Sequence, residues 1–316
     1  MCCFPYARAV SASKVGVVGY GEWGRNIVRD LVELGAAVTV VARDEAKGRA
    51  ALDAGVTRVV ASTEELQDDL EGLVVATPTS THADVTEELI PRGLPIYVEK
   101  PLATSVTSAT RLVELAPDRV FVMHKWRYHP GIELLAEIAR SQELGPPVGL
   151  HCVRLGWGNP HQDVDAVWIL APHDLSIALE IFGEIPEPRS AVGELVEGKW
   201  AGIHGLLGDS PWLAMESSMA HPVRKREIRL ICSNGVATLT NPYADHIVVT
   251  RGDPNVGERG DEQRAISTEY PLLRELRAFL EHLAGGPPPK SSAEEGVADV
   301  AAIERLRELA ALERVT

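Results

Sequence analysis

Three glycines near the start of the chain have the spacing of a phosphate-binding loop. Gly19, Gly21 and Gly24 form a G-x-G-x-x-G pattern in VVGYGEWG, after an apolar strand and before a helix. The first glycine permits a tight turn, the second lets the backbone approach a pyrophosphate, and the third lets the helix pack against the sheet. The helix N-terminus then faces the negative charge. The pattern predicts a dinucleotide site that includes Gly19, Tyr20, Gly21, Glu22, Trp23 and Gly24.

The end of the second strand bears on which dinucleotide binds. An acid there accepts hydrogen bonds from the ribose hydroxyls of NAD, but this strand ends in VVARDE, with Ala42 at the acidic position and Arg43 after it. A small residue beside an arginine suits a 2′-phosphate and favours NADP. Asp44 could take the acidic role, so NAD stays open. Arg43 could also be a solvated surface arginine.

The elements that must position this loop alternate between strands and helices. Short apolar runs at 14–19, 37–42, 58–62, 72–77 and 95–100 predict strands. Between them, NIVRDLVEL, DEAKGRAALDAG, TEELQDDL and HADVTEELIPRG predict helices, the third of them capped by Thr63. Strands that are apolar throughout and alternate with helices indicate a parallel sheet covered on both faces. We expect a nucleotide-binding domain over residues 1–125.

The pattern changes in the second part of the chain. After the helical stretch 130–144, runs such as VGLHCVRLGW, RSAVGELV, LAMESSMAH, REIRLICS and VATLT are separated by Gly, Pro, Asn and Ser. They predict a large, mainly antiparallel open sheet in an α+β domain over residues 126–316. Two helical stretches close the chain and could pack back on the first domain. The fold class is therefore an α/β Rossmann domain followed by an α+β domain.

Charge and residue spacing exclude several kinds of partner. The net charge of −14 argues against nucleic acid, which requires a basic patch. No apolar run approaches the ~18–20 residues of a membrane span, and MCCFPYARAVSASK lacks the features of a signal peptide, so we expect a cytoplasmic protein. Cys2, Cys3, Cys152 and Cys232 have no framework spacing and are expected to be free thiols. The histidines lack metal-ligand spacing, so no metal is expected.

With ATPTSTHADV and VEKPLA added, the chain resembles the Gfo/Idh/MocA oxidoreductases. The resemblance implies that Thr77, Pro78 and His82 line the nicotinamide end of the site. It also implies that the EKP stretch, which contains Glu99, places Lys100 beside the reacting carbon. The stretches GYGEWGRNIVRDLVELGA, WRYHPGIELLAEI, DVDAVWILAPHDLSIAL and YPLLRELRAFLEHL are similar to a subgroup that oxidises the 3-hydroxyl of UDP-linked amino sugars.

The implied chemistry is hydride transfer at a secondary alcohol of a sugar, nucleotide sugar or cyclitol. Such a reaction needs a base for the hydroxyl proton and a positive group for the developing alkoxide. The resemblance assigns these tasks to Lys100 and His173. A lysine at the carboxyl end of a parallel strand points into the ligand crevice, and a histidine exchanges protons near neutral pH.

One position departs from the subgroup pattern. That pattern reads roughly DVNALWDLAPHD, whereas this chain has Asp165 in place of the asparagine and Ile169 in place of the aspartate before the histidine. Lys100 and His173 could suffice without the aspartate. Asp165 could compensate, although two helical turns would separate it from His173 by ~11 Å. Alternatively, the chain could be a non-catalytic NAD(P)-binding sensor or scaffold.

Further residues are candidates for contact with substrate. Basic residues suit a phosphate or carboxylate, and aromatic rings can pack on a sugar. The candidates are Lys125, Arg127, Arg154, Asp165 and Trp168. The family resemblance also implies a homodimer or homotetramer that forms through the sheet of the second domain.

Overall fold

The first part of the chain forms a six-stranded parallel sheet in the computed structural model, which describes residues 13–253 and 255–312. Its strand order is β3-β2-β1-β4-β5-β6, with every pair parallel. This arrangement confirms the predicted Rossmann sheet. The strands are β1 Lys14–Val18, β2 Ala37–Val41, β3 Arg58–Val60, β4 Gly72–Val75, β5 Ile96–Glu99 and β6 Val120–Met123.

Four helices accompany this sheet: α1 Glu22–Glu33, α2 Glu45–Asp53, α3 His82–Leu89 and α4 Val106–Leu115. The prediction of a helix that begins at Thr63 was wrong. Only a 3₁₀ turn forms at Thr63–Glu65, and Ser62 precedes it as the N-cap. Leu66 leaves this turn in an extended conformation, and Leu66 and Leu70 are both buried beside Gly16 of β1. Burial of these two leucines against the sheet outweighs the helical propensity of the segment.

The second part of the chain forms an eight-stranded sheet with the order β14-β13-β12-β11-β7-β10-β9-β8. Only β7 and β10 pair in parallel, so the prediction of a mainly antiparallel sheet is confirmed. The strands are β7 Pro147–Trp157, β8 Pro188–Val196, β9 Lys199–Leu207, β10 Trp212–Ser218, β11 Ala220–Cys232, β12 Gly235–Leu239, β13 His246–Arg251 and β14 Gly260–Ala265.

Four helices belong to this part of the chain: α5 Pro130–Ser141, α6 Ala166–Phe182, α7 Pro271–Leu283 and α8 Ala293–Leu312. Helix α6 is buried along nearly its whole length and packs between the sheet and α8. Helix α7 returns to the first domain and packs on α1, where Phe279 lies 4.9 Å from Tyr97 of β5 between ring centroids. The closing helices thereby hold the two sheets in one arrangement, with a cleft between them.

Other features of the sequence can be located in the same structure. Cys152 and Cys232 are buried free thiols, as expected, whereas Cys2 and Cys3 lie outside the described residues. Among residues 13–253 and 255–312, no helix is both long and apolar enough to cross a bilayer. In the same ranges, no three His, Cys, Asp or Glu side chains are grouped so that they could hold a metal ion.

Candidate active site

A cleft of about 600 Å³ lies between the two domains. Its walls come from the carboxyl ends of the parallel strands on one side and from α6, β7 and β11 on the other. In open parallel sheets, ligands bind outside the carboxyl ends of the strands. Of the predicted site residues, the cleft is lined by Trp23, Thr77, His82, Glu99, Lys100, Lys125, Arg154 and His173.

The glycine loop has the geometry that a dinucleotide requires. Gly19 has φ +106°, and a Cβ there would lie 2.4 Å from the carbonyl oxygen of Ala76. A Cβ on Gly24 would lie 2.4 Å from the carbonyl oxygen of Gly19, so only glycine lets α1 approach this closely. A Cβ on Gly21 would meet nothing within 4 Å, which leaves space in front of the helix N-terminus. These residues therefore fit a bound pyrophosphate.

Two further residues of the glycine loop, Tyr20 and Glu22, do not line the cleft. The Tyr20 side chain is buried, and its hydroxyl donates to the carbonyl oxygen of Ala50 in α2. Glu22 is exposed at the first position of α1. Both residues support the loop through backbone position, and neither side chain lines the cleft.

The loops after β4 and β5 are joined by one buried histidine. The ring nitrogens of His82 lie 2.8 Å from the carbonyl oxygen of Pro101 and 3.0 Å from that of Thr77. Burial lowers the pKa of His82, so the neutral ring can donate to only one of these carbonyls at a time. Pro78 is exposed and lies outside the cleft lining. His82 thus fixes the position of Thr77 relative to the EKP stretch.

Glu99, Trp23 and Lys125 form a group at the end of β5 and β6. The indole Nε1 of Trp23 donates to Glu99, and the Lys125 ammonium lies 4.0 Å from the centre of the Trp23 ring. Burial lowers the pKa of Lys125 to about 8, while the charge of Glu99 opposes that effect. Lys125 therefore titrates close to physiological pH, at the side of the cleft where the glycine loop lies.

Lys100 follows β5 and reaches across the cleft to α6. Its Nζ donates to the backbone carbonyl oxygen of Ile169 at 3.3 Å. Burial lowers the pKa of Lys100, and the carboxylates of Glu99 and Asp299 partly offset that effect. Ile169, which replaces the aspartate of the subgroup pattern, thus contacts Lys100 through its main chain. Its side chain is only 6% exposed and lines the cleft.

His173 lies one helical turn after Ile169 on the same face of α6. Burial is the largest cause of its low pKa, and the positive charges of Lys100, Arg154 and Lys125 lower that pKa further. The ring is therefore neutral at physiological pH. Its Nδ1 is buried and has no hydrogen-bond partner among the described residues, so this nitrogen is not satisfied by a backbone carbonyl.

Arg154 lies beside His173 in a buried ion pair. Its Nε and Nη2 lie 2.9 Å and 2.8 Å from Oδ1 of Asp174, and the hydroxyl of Ser217 donates to Oδ2 of Asp174 at 2.7 Å. The guanidinium also lies 4.6 Å from the centre of the Trp126 ring. This network fixes the position of the Arg154 guanidinium.

Three predicted substrate residues lie away from the cleft lining. Arg127 lies in the 3₁₀ turn Lys125–Tyr128 and donates to the carboxylates of Glu180 and Glu295. Asp165 caps α6 by accepting from the backbone N–H of Val167, and both of its oxygens accept from Arg307. Trp168 is buried beneath that arginine. Because the Asp165 carboxylate is committed to these two groups, it does not compensate for Ile169.

Sequence analysis missed several residues of the opposite wall. Asp174 follows His173 directly, yet nothing in the sequence pairs it with Arg154. Arg224 and Arg226 of β11 line the cleft, as do Tyr243 and Tyr270 from later loops. The basic run in HPVRKREIR was the one available signal, since consecutive charges on a strand alternate between its two faces.

The strand that precedes α2 ends at a second, shallower depression, which Ala42, Arg43 and Arg49 help to line. The side chain of Asp44 accepts from the backbone N–H of Lys47 and so caps α2. Arg43 is exposed beside it. The acid that could serve NAD is therefore engaged in capping the helix.

Comparisons with known proteins agree with this arrangement. Residues 13–124 match an oxidoreductase family with an NAD-binding Rossmann fold, GFO_IDH_MocA. UDP-N-acetylglucosamine 3-dehydrogenase of Acidithiobacillus ferrooxidans is 32% identical over 186 residues, which cover 57% of this chain and 58% of the relative. Inositol 2-dehydrogenase 1 of Saccharopolyspora erythraea is 31% identical over 198 residues, 59% of this chain and 53% of that protein. The chain thus aligns with little more than half the length of these relatives.

The fold matches over a longer part of the chain. A solved structure of the Acidithiobacillus ferrooxidans UDP-N-acetylglucosamine 3-dehydrogenase superposes with a TM-score of 0.81 at 23% identity, covering 94% of this chain and 97% of that one. This likeness extends to both sheets. Residues 13–124 therefore match the NAD-binding Rossmann domain of the Gfo/Idh/MocA oxidoreductases, the family that the glycine loop and EKP motif resemble.

Proposed function

We propose that the protein is an NAD(P)-dependent dehydrogenase or reductase that acts on a secondary alcohol of a sugar, nucleotide sugar or cyclitol. The observation that supports this most directly is the position of Lys100 and His173 in one cleft, next to a glycine loop that fits a dinucleotide. The names of the two relatives, one a nucleotide-sugar dehydrogenase and one an inositol dehydrogenase, support the same substrate class.

Lys100 and His173 can supply the two groups that the reaction requires, a donor for the alkoxide and a base for the hydroxyl proton. His173 is neutral and lines the cleft, so its imidazole can accept the hydroxyl proton. Lys100 carries the nearby donor that can stabilise a developing alkoxide. A bound nicotinamide would accept or supply the hydride. The backbone carbonyl of Ile169 holds the Lys100 side chain across the cleft, and this contact does not depend on the side chain at position 169.

The competing function is a non-catalytic NAD(P)-binding sensor or scaffold. The feature in its favour is Ile169, which stands where the resembled subgroup has an aspartate. The intact Lys100 contact and the open cleft favour the enzyme. Turnover by the purified protein distinguishes the two functions.

We propose NADP(H) as the preferred cofactor. Arg43 is exposed at the end of β2 beside a depression that Arg49 also lines, and the carboxylate of Asp44 is engaged in capping α2. We expect NADPH to bind at least tenfold more tightly than NADH, and an Arg43→Ala variant to lose that preference. Equal affinities in the native protein would favour NAD(H) instead.

The test of the reaction uses the purified protein with NADPH and NADH in separate assays. Nicotinamide absorbance is followed against a panel of keto sugars, nucleotide sugars and inositols. We expect turnover that a Lys100→Ala variant abolishes while cofactor binding persists. Cofactor binding without turnover by the native protein, together with turnover by Ile169→Asp, would favour the sensor or scaffold function.

We also propose that the protein is a cytoplasmic homodimer or homotetramer formed through the second sheet. Val192 and Leu206 are 56% and 42% exposed on neighbouring strands β8 and β9, and strand alternation puts them on the face away from α6. An apolar patch on an open sheet is typical of an interface. Light scattering after size exclusion should give a multiple of 34.2 kDa, and Val192→Glu should reduce it.

A further inference from the structure

Two arginines of β11 line the cleft, and neither has a carboxylate partner among the residues that the structure describes. Arg226 is paired with Arg154 of the neighbouring strand β7. The two guanidinium groups therefore lie side by side on the face of the sheet that lines the cleft. Like charges in directly opposed positions destabilise a sheet. Arg224, two residues earlier, falls where the pairing of β11 with β7 is irregular, and it too reaches the cleft.

The positive charges of Arg224 and Arg226 are not balanced by carboxylates of the described residues. The carboxylate that acts on Arg226, that of Asp174, is bonded to Arg154 and Ser217. In the described ranges, no Asp or Glu lies within 4.0 Å of either arginine. The alternate residues of β11 pair among themselves on the other face, where Glu227 lies 3.2 Å from Lys225 and 3.8 Å from Arg229.

The orientation of Arg226 suits an oxyanion that binds side-on through two oxygens. Its Nη1 donates to the backbone carbonyls of Leu155 and Lys225, which fixes the guanidinium plane. The Nε and Nη2 edge, which binds carboxylates and phosphates side-on, has no partner among the described residues. Burial and the charges of Arg154 and Arg224 lower the pKa of Arg226 to about 10. A bound anion would relieve that repulsion.

The position of the pair separates it from the cofactor. The glycine loop and the Arg43 depression both belong to the first domain, whereas β11 is a strand of the second sheet. The excess positive charge therefore lies on the wall of the cleft that the second sheet forms, in a protein with a net charge of −14. Such a local reversal of sign concentrates anionic ligands at the site.

We propose that Arg224 and Arg226 form a subsite for an oxyanion, either a carboxylate or a phosphate, that the sugar substrate carries. The inference rests on the proposed function and narrows it to acidic or phosphorylated sugars, including nucleotide sugars. A neutral sugar or cyclitol would leave both guanidinium groups unpaired in the cleft, and such a substrate is disfavoured.

The test measures binding of defined probes to the NADPH-loaded protein by calorimetry. The probes are D-glucuronate for the carboxylate, glucose 6-phosphate for the phosphate, UDP-glucose for the diphosphate, and glucose as the neutral reference. We expect at least one anionic probe to bind tenfold or more tightly than glucose. An Arg224→Gln/Arg226→Gln double variant should lose tenfold or more of that affinity, since hydrogen bonds to charged groups are the stronger class.

The matched control is Lys225→Gln, which removes a charge from the same strand on the opposite face. It should leave probe affinity unchanged, and NADPH affinity should be the same in all three proteins. Binding of every anionic probe no more tightly than glucose, or equally tight binding by the double variant, would overturn the subsite. Turnover of neutral sugars with unchanged kcat/KM in the double variant would also overturn it while the proposed dehydrogenase activity stood.

Discussion

Ile169→Asp should strengthen the protonated state of Lys100, and this can be measured without knowing the substrate. The carbonyl oxygen of Ile169 lies 3.3 Å from the Lys100 Nζ, and the side chain of Ile169 lines the same cleft. A carboxylate at this position would lie near the ammonium. At about 5 Å and an effective dielectric of ~20, the attraction is ~3 kcal/mol, roughly a hundredfold in a protonation equilibrium.

Desolvation of the new carboxylate takes back part of that attraction, because Ile169 is only 6% exposed. We therefore expect a smaller net effect, about tenfold or more. The same burial predicts a loss of stability of roughly 1.5–3 kcal/mol, since an apolar side chain leaves the core. Ile169→Asn has nearly the same shape without the charge, so it loses similar packing and should not alter Lys100.

The assay is competitive acetylation at pH 8, with the modified lysines quantified by peptide mass spectrometry. Only the uncharged amine reacts, so a more strongly protonated Lys100 reacts more slowly. Lys199 is exposed on β9 and serves as the internal reference. We expect acetylation of Lys100 to slow at least tenfold in Ile169→Asp and less than twofold in Ile169→Asn. Equal slowing in both variants, or none in the aspartate variant, would refute the electrostatic coupling of this position to Lys100.

Three further predictions concern folding and cofactor binding. Gly24→Ala should destabilise the fold because its Cβ would meet the Gly19 carbonyl, whereas Gly21→Ala should fold normally yet weaken NADPH binding tenfold or more, as seen by urea unfolding and fluorescence titration. Asp174→Asn should lower the free energy of unfolding by about 3–5 kcal/mol, because it leaves buried Arg154 without its counter-ion. Glu275→Gln should raise stability at pH 8 by roughly 1 kcal/mol or more and leave it nearly unchanged at pH 4.5.

The sign for Glu275 follows from its surroundings. Its carboxyl is fully buried, neither oxygen has a hydrogen-bond partner of good geometry among the described residues, and burial together with the charge of Glu99 raises its pKa well above 4.5. The native protein is therefore most stable with this group protonated and loses stability as pH rises from about 4.5 toward the raised pKa. A stability difference between the native protein and Glu275→Gln that did not grow with pH would contradict this account.

Controls separate the other two predictions from general damage. Ser217→Ala removes one hydrogen bond to Asp174 and should lower stability by about 1–3 kcal/mol, less than loss of the ion pair. A change below 1 kcal/mol in Asp174→Asn would mean that Arg154 finds another partner. Unchanged NADPH affinity in Gly21→Ala would remove the dinucleotide from the space in front of α1.

Local patterns were sufficient to predict the glycine loop and the parallel sheet of the first domain. The G-x-G-x-x-G loop joins one strand to the next helix within six residues, so its geometry depends on glycine conformations that the sequence states directly. The alternation of apolar strands and helices likewise indicated the parallel sheet, because each strand is buried on both faces. The helix predicted at Thr63 failed because two buried leucines, not local propensity, set the backbone there.

The substrate side depended on contacts between distant parts of the chain. Arg127 and Asp165 were plausible ligands by type, but Glu180, Glu295 and Arg307 neutralise them through long-range ion pairs. Sequence analysis did not indicate Arg226 as a site residue, because only its register with β7 places it in the cleft.

The sequence by itself determined the nucleotide-binding loop, the lysine after β5 and the departure at Ile169, because each is a property of a few consecutive residues. Only the tertiary structure decided which charges remain unpaired in the cleft. A charged side chain is neutralised or left free by whatever the fold brings within a few ångströms of it, and Coulomb attraction in a partly buried site is strong enough to commit one carboxylate to one arginine. Asp174 is committed to Arg154 in this way, and no Asp or Glu in the described part of the chain forms an ion pair with Arg224 or Arg226.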